Sequence, residues 1–300
     1  MRNLEKFFEK SAYYKQKTFE IADIIEKSKD YRYRDNADIL RHCADRIDLN
    51  NTIDGNEKIL SHYCRLRYCP QCQYRKSIKQ YGEIIQIAEK LNCSWLHLVL
   101  TIRNCEAGEL SKTINKLFVS STKLFKKYKK NFKGIIRACE VTYNKEEDTY
   151  HPHLHCLISV NKSYFTSRYY VKQSDILDSW REILNEQSNG GAYISKVTDK
   201  CASVAEIAKY CLKPLDLDLG KEKNLEVLEN IYNALKSKRL LQTYGNISAE
   251  FKEIKNNYKP LVTDSEILCT TRYYYQNNKF VPVAIDNKIT NQVYNIKNVN

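Results

Sequence analysis

Residues 134–160 constrain the fold more than any other part of the chain. Segments 134–144 and 149–160 both have strand length, and the polar run Lys145-Glu-Glu-Asp148 between them reads as a turn. The second segment carries His151-Pro-His153-Leu-His155, which places three of the chain's six histidines within five residues. Strand side chains alternate with a period of two, so the three imidazoles share one face while Leu154, Cys156 and Ile158 line the other. Neutral imidazoles crowded on a rigid strand can share a divalent cation. A chance surface cluster would not alternate so regularly.

The turn length also sets a register. If 145–148 form a four-residue loop, Asn144 pairs with Thr149, and counting back puts Glu140 opposite His153. Directly opposed side chains lie about 5 Å apart at Cβ, so a carboxylate would stand beside two imidazoles, flanked by the small Ala138 and Thr142. A slip of two residues would instead pair Glu140 with His151 or His155. A carboxylate mixed with imidazoles suits Mg²⁺ or Mn²⁺ next to a phosphate, with zinc as an alternative.

Length and composition exclude several classes. The 300 residues suffice for one large domain or two modest ones, and 8 Gly and 5 Pro do not fit a collagen-like or linker-rich chain. The most apolar run, residues 95–102, is far shorter than a membrane span and is interrupted by His97 and Thr101. The start, MRNLEKFFEK, lacks the apolar region of a signal peptide. Eleven cysteines without a secretion signal point to a reducing compartment, so a cytoplasmic protein is expected.

Coarse periodicity predicts a helix near the start of 1–40, an irregular 41–82, a strand at 95–102 and a helix over 110–130. Further helices are expected at 172–187, 203–213 and 221–238, with strands at 192–198, 240–244 and 280–285. Strands and helices alternating without Gly-rich turns indicate an α+β fold rather than a parallel nucleotide-binding one, and the cysteines of 41–82 suggest a zinc-binding segment ahead of it.

That segment is Cys64-Arg-Leu-Arg-Tyr-Cys69-Pro-Gln-Cys72. One C-x-x-C with an extra cysteine is part of a zinc site, and Cys43 is the best fourth ligand, with His62 in reserve. The remaining cysteines are scattered among apolar positions and read as ordinary buried thiols.

The charge is unevenly distributed. Lys and Arg number 49 against 36 acids, a net +13. Residues 61–80 hold Arg65, Arg67, Arg75, Lys76 and Lys79 with no acid, interleaved with Tyr63, Tyr68 and Tyr74. Residues 110–139 hold nine basic side chains and no acid, among them Lys126, Lys127, Lys129 and Lys130. Together these windows exceed the whole-chain excess. Cations for phosphates with aromatics for unstacked bases are what a DNA-binding surface requires.

On a helix over 203–213, Val204, Ile207, Ala208, Cys211 and Leu212 form one apolar arc, and Tyr210 stands on the opposite arc one turn after Glu206. By itself this is unremarkable among 23 tyrosines, and Ser203-x-x-Glu206 also reads as a capping box. The ordered set is more specific. Leu98-Val-Leu-Thr-Ile-Arg-Asn104, Glu140-Val-Thr-Tyr-Asn144, His151-Pro-His-Leu-His155 and Glu206-x-x-Lys-Tyr210-x-x-Lys213 resemble, in sequence and order, the replication initiators of rolling-circle plasmids from Gram-positive bacteria. These belong to the histidine–hydrophobic–histidine superfamily of single-strand endonucleases.

The resemblance implies an antiparallel sheet flanked by helices, preceded by an N-terminal zinc-binding segment, and the activity of a nickase and strand transferase. His153, His155 and Glu140, with His151 as a further candidate, would hold the divalent cation. Tyr210 would attack the scissile phosphate of the plasmid's double-strand origin, leaving a 5′-phosphotyrosine and a free 3′-OH primer. Glu206 would activate water at termination, Lys213 would contact the phosphate or phenolate, and Thr101 and Asn104 would be architectural. Origin DNA, single-stranded at the nick, is the implied partner, with host helicase and polymerase; a homodimer stays open, and no membrane is involved. Three segments are expected: 1–90 helical, zinc-binding and DNA-contacting, 91–245 catalytic, and 246–300 an extension without an assigned role. A relaxase or single-strand transposase would share the chemistry, and a zinc-dependent DNA-binding regulator would explain the cysteines and charge but not the histidine strand.

Overall fold

The computed structural model describes residues 2–52, 55, 57–185, 190–199, 204, 221–256 and 267–283. In chain order the elements are α1 (Arg2–Ile25), α2 (Tyr31–Arg34), α3 (Ala37–Arg41), β1 (Arg46–Thr52), β2 (Glu57–Ser61), α4 (Pro70–Lys90), β3 (Ser94–Thr101) and α5 (Leu110–Lys127). They continue with β4 (Gly134–Asn144), β5 (Thr149–Val160), α6 (Gln173–Leu184), β6 (Ala192–Lys196), α7 (Lys221–Leu235), β7 (Leu241–Gly245), α8 (Asn246–Asn256), β8 (Ile267–Gln276) and β9 (Lys279–Val283). The architecture is α+β with antiparallel sheets. The expected helix over 203–213 lies outside the described residues, apart from Val204. None of the described helices is long and apolar enough to cross a membrane.

The chain forms two compact units: Met1–Arg75 with Lys259–Asn300, and Lys76–Tyr258. In the first unit β1 pairs with β2 and with β8, and β8 pairs with β9, giving a four-stranded antiparallel sheet in the order β2-β1-β8-β9. Residues 41–82, expected to be irregular, therefore contain two strands and the start of a helix. The strands escape sequence reading because β1, Arg-Ile-Asp-Leu-Asn-Asn-Thr, has only two apolar residues and its central partner lies more than 200 residues downstream. Within 246–300, α8 packs in the second unit and β8–β9 complete the sheet of the first.

The second unit is built on a five-stranded antiparallel sheet in the order β6-β3-β5-β4-β7. Period-two alternation gives this sheet two distinct faces. Leu96, Leu98, Leu100, Leu154, Cys156, Ile158, Cys139 and Val141 line one, and they pack against Ile114, Leu117 and Leu124 of α5, Trp180 of α6 and Ile231 of α7. Each fully buried large side chain of this kind contributes about 1.5–3 kcal/mol relative to exposure. The opposite face begins with Trp95, Ile136, Ala138 and Leu157, covered by Ile84 and Ile87 of α4, Ile247 and Phe251 of α8, and Val204. Glu140, His153 and His155 continue this second face beyond its apolar part.

Local sequence fixes the hairpin between β4 and β5. Asn144 Oδ1 accepts from the backbone N–H of Glu146 (3.0 Å) and Glu147 (3.4 Å), an Asx-type turn. Asp148 closes it in the left-handed region at φ 51. The resulting register pairs Asn144 with Thr149 and Glu140 with His153, as counted from the turn. At the far end of β4, Gly245 has φ +62, and a Cβ there would run into the Lys133 carbonyl, so only glycine fits.

Candidate metal centres and nucleic-acid surfaces

Adjacent central strands bring the acidic and imidazole side chains together. Glu140 projects from β4, and His153 and His155 from β5, onto the same face. Glu140 Oε2 lies 3.0 Å from His153 Nε2 and 3.3 Å from His155 Nε2. All three residues are nearly buried, at 8%, 9% and 6% exposure, which a carboxylate tolerates only with partners. Burial pushes the Glu140 carboxyl up, but hydrogen bonds from His153 and His155 outweigh it and hold the group down at about 2.

One hydrogen bond sets the tautomer of His153. His153 Nδ1 lies 3.1 Å from the His151 carbonyl oxygen, which can only accept, so Nδ1 carries the hydrogen. Its Nε2 then faces Glu140 Oε2 as one lone pair facing another, and a proton or a cation must lie between them. The ligand atoms of Glu140, His153 and His155 lie within 4.8 Å of one another, which suits a shared ion. A backbone carbonyl orienting the far nitrogen is the usual outer-sphere support of a metal-binding imidazole.

His151 stands apart from this group. Its Nδ1 bonds Asn104 Oδ1 at 2.7 Å, and burial followed by the nearby His153 lowers its pKa. Asn104 Nδ2 also donates to Glu147 Oε2 and Thr149 Oγ1. Thr101 ties its carbonyl to Trp180 Nε1 at 2.8 Å and its hydroxyl to the Gly191 N–H at 3.0 Å. His97, unassigned from sequence, stacks on His155 with centroids 5.6 Å apart and an interplanar angle of 14°. A signal for it existed, since His97 alternates with Leu96, Leu98 and Leu100. Tyr210, Glu206 and Lys213 lie outside the described residues.

The first unit holds the second group. Sγ atoms of Cys43 and Cys72 are 3.6 Å apart, as are those of Cys64 and Cys72, and Cys69 lies 3.5 Å from Cys43. Tetrahedral zinc with Zn–S of about 2.3 Å requires S–S edges of about 3.8 Å, so the donor set fits zinc closely. Backbone N–H groups of Cys64 and Arg65 point at Cys43 Sγ (3.4 Å) and Cys72 Sγ (3.1 Å), and Arg65 adopts φ 63 to do so. Hydrogen bonds from the neighbouring thiols lower the pKa of Cys72 and Cys64, while their partners Cys43 and Cys69 are raised. Lys15, fully buried, caps the site: its Nζ donates to the carbonyls of Arg41 (2.6 Å) and Cys43 (2.7 Å). His62 lies outside the group. Among the described residues these are the two groups of at least three His, Cys, Asp or Glu whose ligand atoms converge.

The basic residues singled out by charge are at the surface. Arg65, Arg67 and Arg75 are exposed in the first unit, and the Arg75 guanidinium sits 4.4 Å from the Tyr63 ring centroid. Lys76 and Lys79 are exposed on α4, and Lys126, Lys127, Lys129 and Lys130 at the end of α5. Lys127 pairs with Glu182 at 3.0 Å. One cation counted in the basic excess is not a surface group. Arg137 is 1% exposed, bonded to Gln242 Oε1 (2.9 Å) and Ser121 Oγ (3.2 Å) and stacked 4.1 Å from the Phe118 centroid.

Comparison with known proteins follows the same lines. A family model described as a replication protein matches residues 58–293. Protein rep of Streptococcus pneumoniae serotype 2 is 32% identical, with the alignment covering 94% of this chain and 90% of that protein. Protein rep of a Bacillus species is 32% identical over 74% of this chain and 81% of its own length. A Staphylococcus aureus Protein rep is 33% identical over 63% and 86% respectively. No solved structure matches the chain.

Proposed function

The chain belongs to the replication-protein family, and on that footing we propose that it initiates rolling-circle replication of a plasmid by nicking one strand of the double-strand origin. The observation that carries this reading is the convergence of Glu140, His153 and His155 on one face of the five-stranded sheet. Two imidazoles and a carboxylate on adjacent antiparallel strands suit the histidine–hydrophobic–histidine nuclease arrangement, and a purely DNA-binding regulator has no use for them.

A divalent cation, Mn²⁺ or Mg²⁺, bound by Glu140, His153 and His155 would polarise the scissile phosphate. Tyr210 supplies the nucleophile: its phenolate oxygen bonds to phosphorus, the bond to the 3′ oxygen breaks, and that oxygen takes up a proton to become the primer hydroxyl. Lys213, three residues after Tyr210, favours the phenolate. Glu206, four residues before it, takes the proton from water when the last phosphotyrosine is hydrolysed.

In the first unit, Cys43, Cys64, Cys69 and Cys72 would hold zinc in a structural role, with Arg65 and Arg67 beside them for phosphate contact. Lys126, Lys127, Lys129 and Lys130 contribute a basic surface in the second unit.

The test is nicking of a supercoiled plasmid carrying the cognate origin, with and without Mn²⁺, and capture of a covalent protein–DNA adduct. Tyr210→Phe is expected to abolish nicking and adduct while leaving origin binding intact. Undiminished nicking by that variant would overturn the assignment.

A further inference from the structure

The segment following β5 is a surface that the nicking chemistry does not use. Residues 149–174 contain no acidic side chain, and within them 161–172 read Asn-Lys-Ser-Tyr-Phe-Thr-Ser-Arg-Tyr-Tyr-Val-Lys. Three of the aromatic rings are exposed: Phe165 at 36%, Tyr169 at 37% and Tyr170 at 49%. Exposed aromatics are common singly, but these cluster. Phe165 and Tyr170 have centroids 6.4 Å apart.

Cations surround the rings. Arg168 lies 5.2 Å from the Tyr169 centroid and Lys133 lies 5.9 Å from it, while Lys196 Nζ sits 5.0 Å from the Phe165 centroid. A hydrogen bond and charge from Arg168, then the charges of Lys133 and Lys130, hold the Tyr169 phenol below its ordinary value.

The segment is also anchored. Tyr164 is buried, and its hydroxyl accepts from the Val171 N–H at 3.1 Å. Asn131 Nδ2 fixes the Tyr169 carbonyl at 2.8 Å. The exposed rings therefore project from a pre-organised loop, which reduces the ordering cost of binding.

Flat apolar faces next to cations, on a segment that itself carries no acid, match one polyanion better than any other. Duplex DNA presents phosphates but keeps its base faces stacked inside, whereas a single strand presents both. We propose that Phe165, Tyr169 and Tyr170 form a stacking platform for unpaired bases of single-stranded DNA, with Arg168, Lys130 and Lys133 contacting its phosphates. The inference deepens the origin-nicking reading and rests on it for the identity of the nucleic acid. β5 ends at Val160, five residues beyond His155 and about 17 Å along the strand, and the loop follows it. The platform therefore holds unpaired DNA flanking the nick rather than the scissile phosphate itself.

Binding of the full-length protein to a fluorescent 15-nucleotide oligo(dT) and to a 15-base-pair duplex, across a salt series without added Mn²⁺ or Mg²⁺, tests this. Tyr169→Ala/Tyr170→Ala is expected to weaken oligo(dT) binding at least about tenfold while changing duplex binding less than about twofold. Tyr169→Phe/Tyr170→Phe keeps both rings and should bind like the parent. Arg168→Ala should reduce the salt slope on oligo(dT) by about 0.7, one phosphate contact.

Unchanged oligo(dT) affinity in the double alanine variant, an equal loss on duplex, or no oligo(dT) binding by the parent overturns the proposal. A failure of the nicking reading is distinguishable. It would show as no Tyr210 adduct while the oligo(dT) response to these variants persists.

Discussion

Glu140→Gln separates the metal chemistry of the cluster from its folding. His153 donates its Nδ1–H to the His151 carbonyl, so its Nε2 is free to accept. A glutamine amide at Glu140 can donate to that nitrogen across the present 3.0 Å with nearly the same shape. The exchange replaces one buried hydrogen bond by another, and the stability change should stay within about 1 kcal/mol. Metal affinity should respond very differently. Loss of an outer-sphere partner costs 10- to 100-fold, and removing the only anionic ligand of the three should exceed that range. We expect Mn²⁺ to bind at least about 100-fold more weakly, about 2.7 kcal/mol. Titration of Mn²⁺ followed by electron paramagnetic resonance reads this site selectively, because the four-cysteine group is a soft donor set unsuited to Mn²⁺.

The metal-free protein offers a second readout. The Glu140 carboxyl sits at about 2 in the folded chain against an ordinary 4.5, so its contribution to stability is complete above 4.5 and is lost as pH falls towards 2. Glu140→Gln should remove that part of the acid dependence. Mn²⁺ affinity within threefold of the parent, or a variant that no longer folds, would refute the reasoning.

Two other perturbations address the framework. Cys69→Ser should reduce zinc, read by elemental analysis, from one per chain to near zero and lower the thermal transition of the first unit; full zinc content would dismiss the site. Gly245→Ala forces a Cβ into the left-handed region against the Lys133 carbonyl and should destabilise by more than about 1 kcal/mol in urea unfolding. An unchanged midpoint would mean that the turn relaxes freely.

Legibility followed the range of the interactions. The β4–β5 hairpin was readable because alternation, turn chemistry and pairing all lie within 27 consecutive residues, and the Glu140–His153 register came from counting alone. Family membership was equally readable, since the motifs occur in order along the chain. What sequence hid was non-local. β1 gives little sign of being a strand until β8 is beside it, and the basic first half of α4 masks the apolar stripe of Ile84 and Ile87. Arg137 reads as a surface cation because nothing in its neighbourhood reveals that Gln242, over 100 residues away, receives its guanidinium. His97 was visible as an alternation but gained meaning only when β3 paired with β5 and set it against His155.

The sheet order β2-β1-β8-β9 has a consequence for synthesis. The strand that fills the middle of the first unit's sheet leaves the ribosome after all of the second unit has been made. At 5–20 residues per second, the Cys43–Cys72 segment waits about 10–40 s for β8 and β9. During that interval β1 has one open edge, and the four converging cysteines are the available local link across the segment. A product terminated near residue 258 would carry the whole histidine face but no finished sheet around the four cysteines. Truncation there would therefore leave unpaired the edge of β1 that β8 covers.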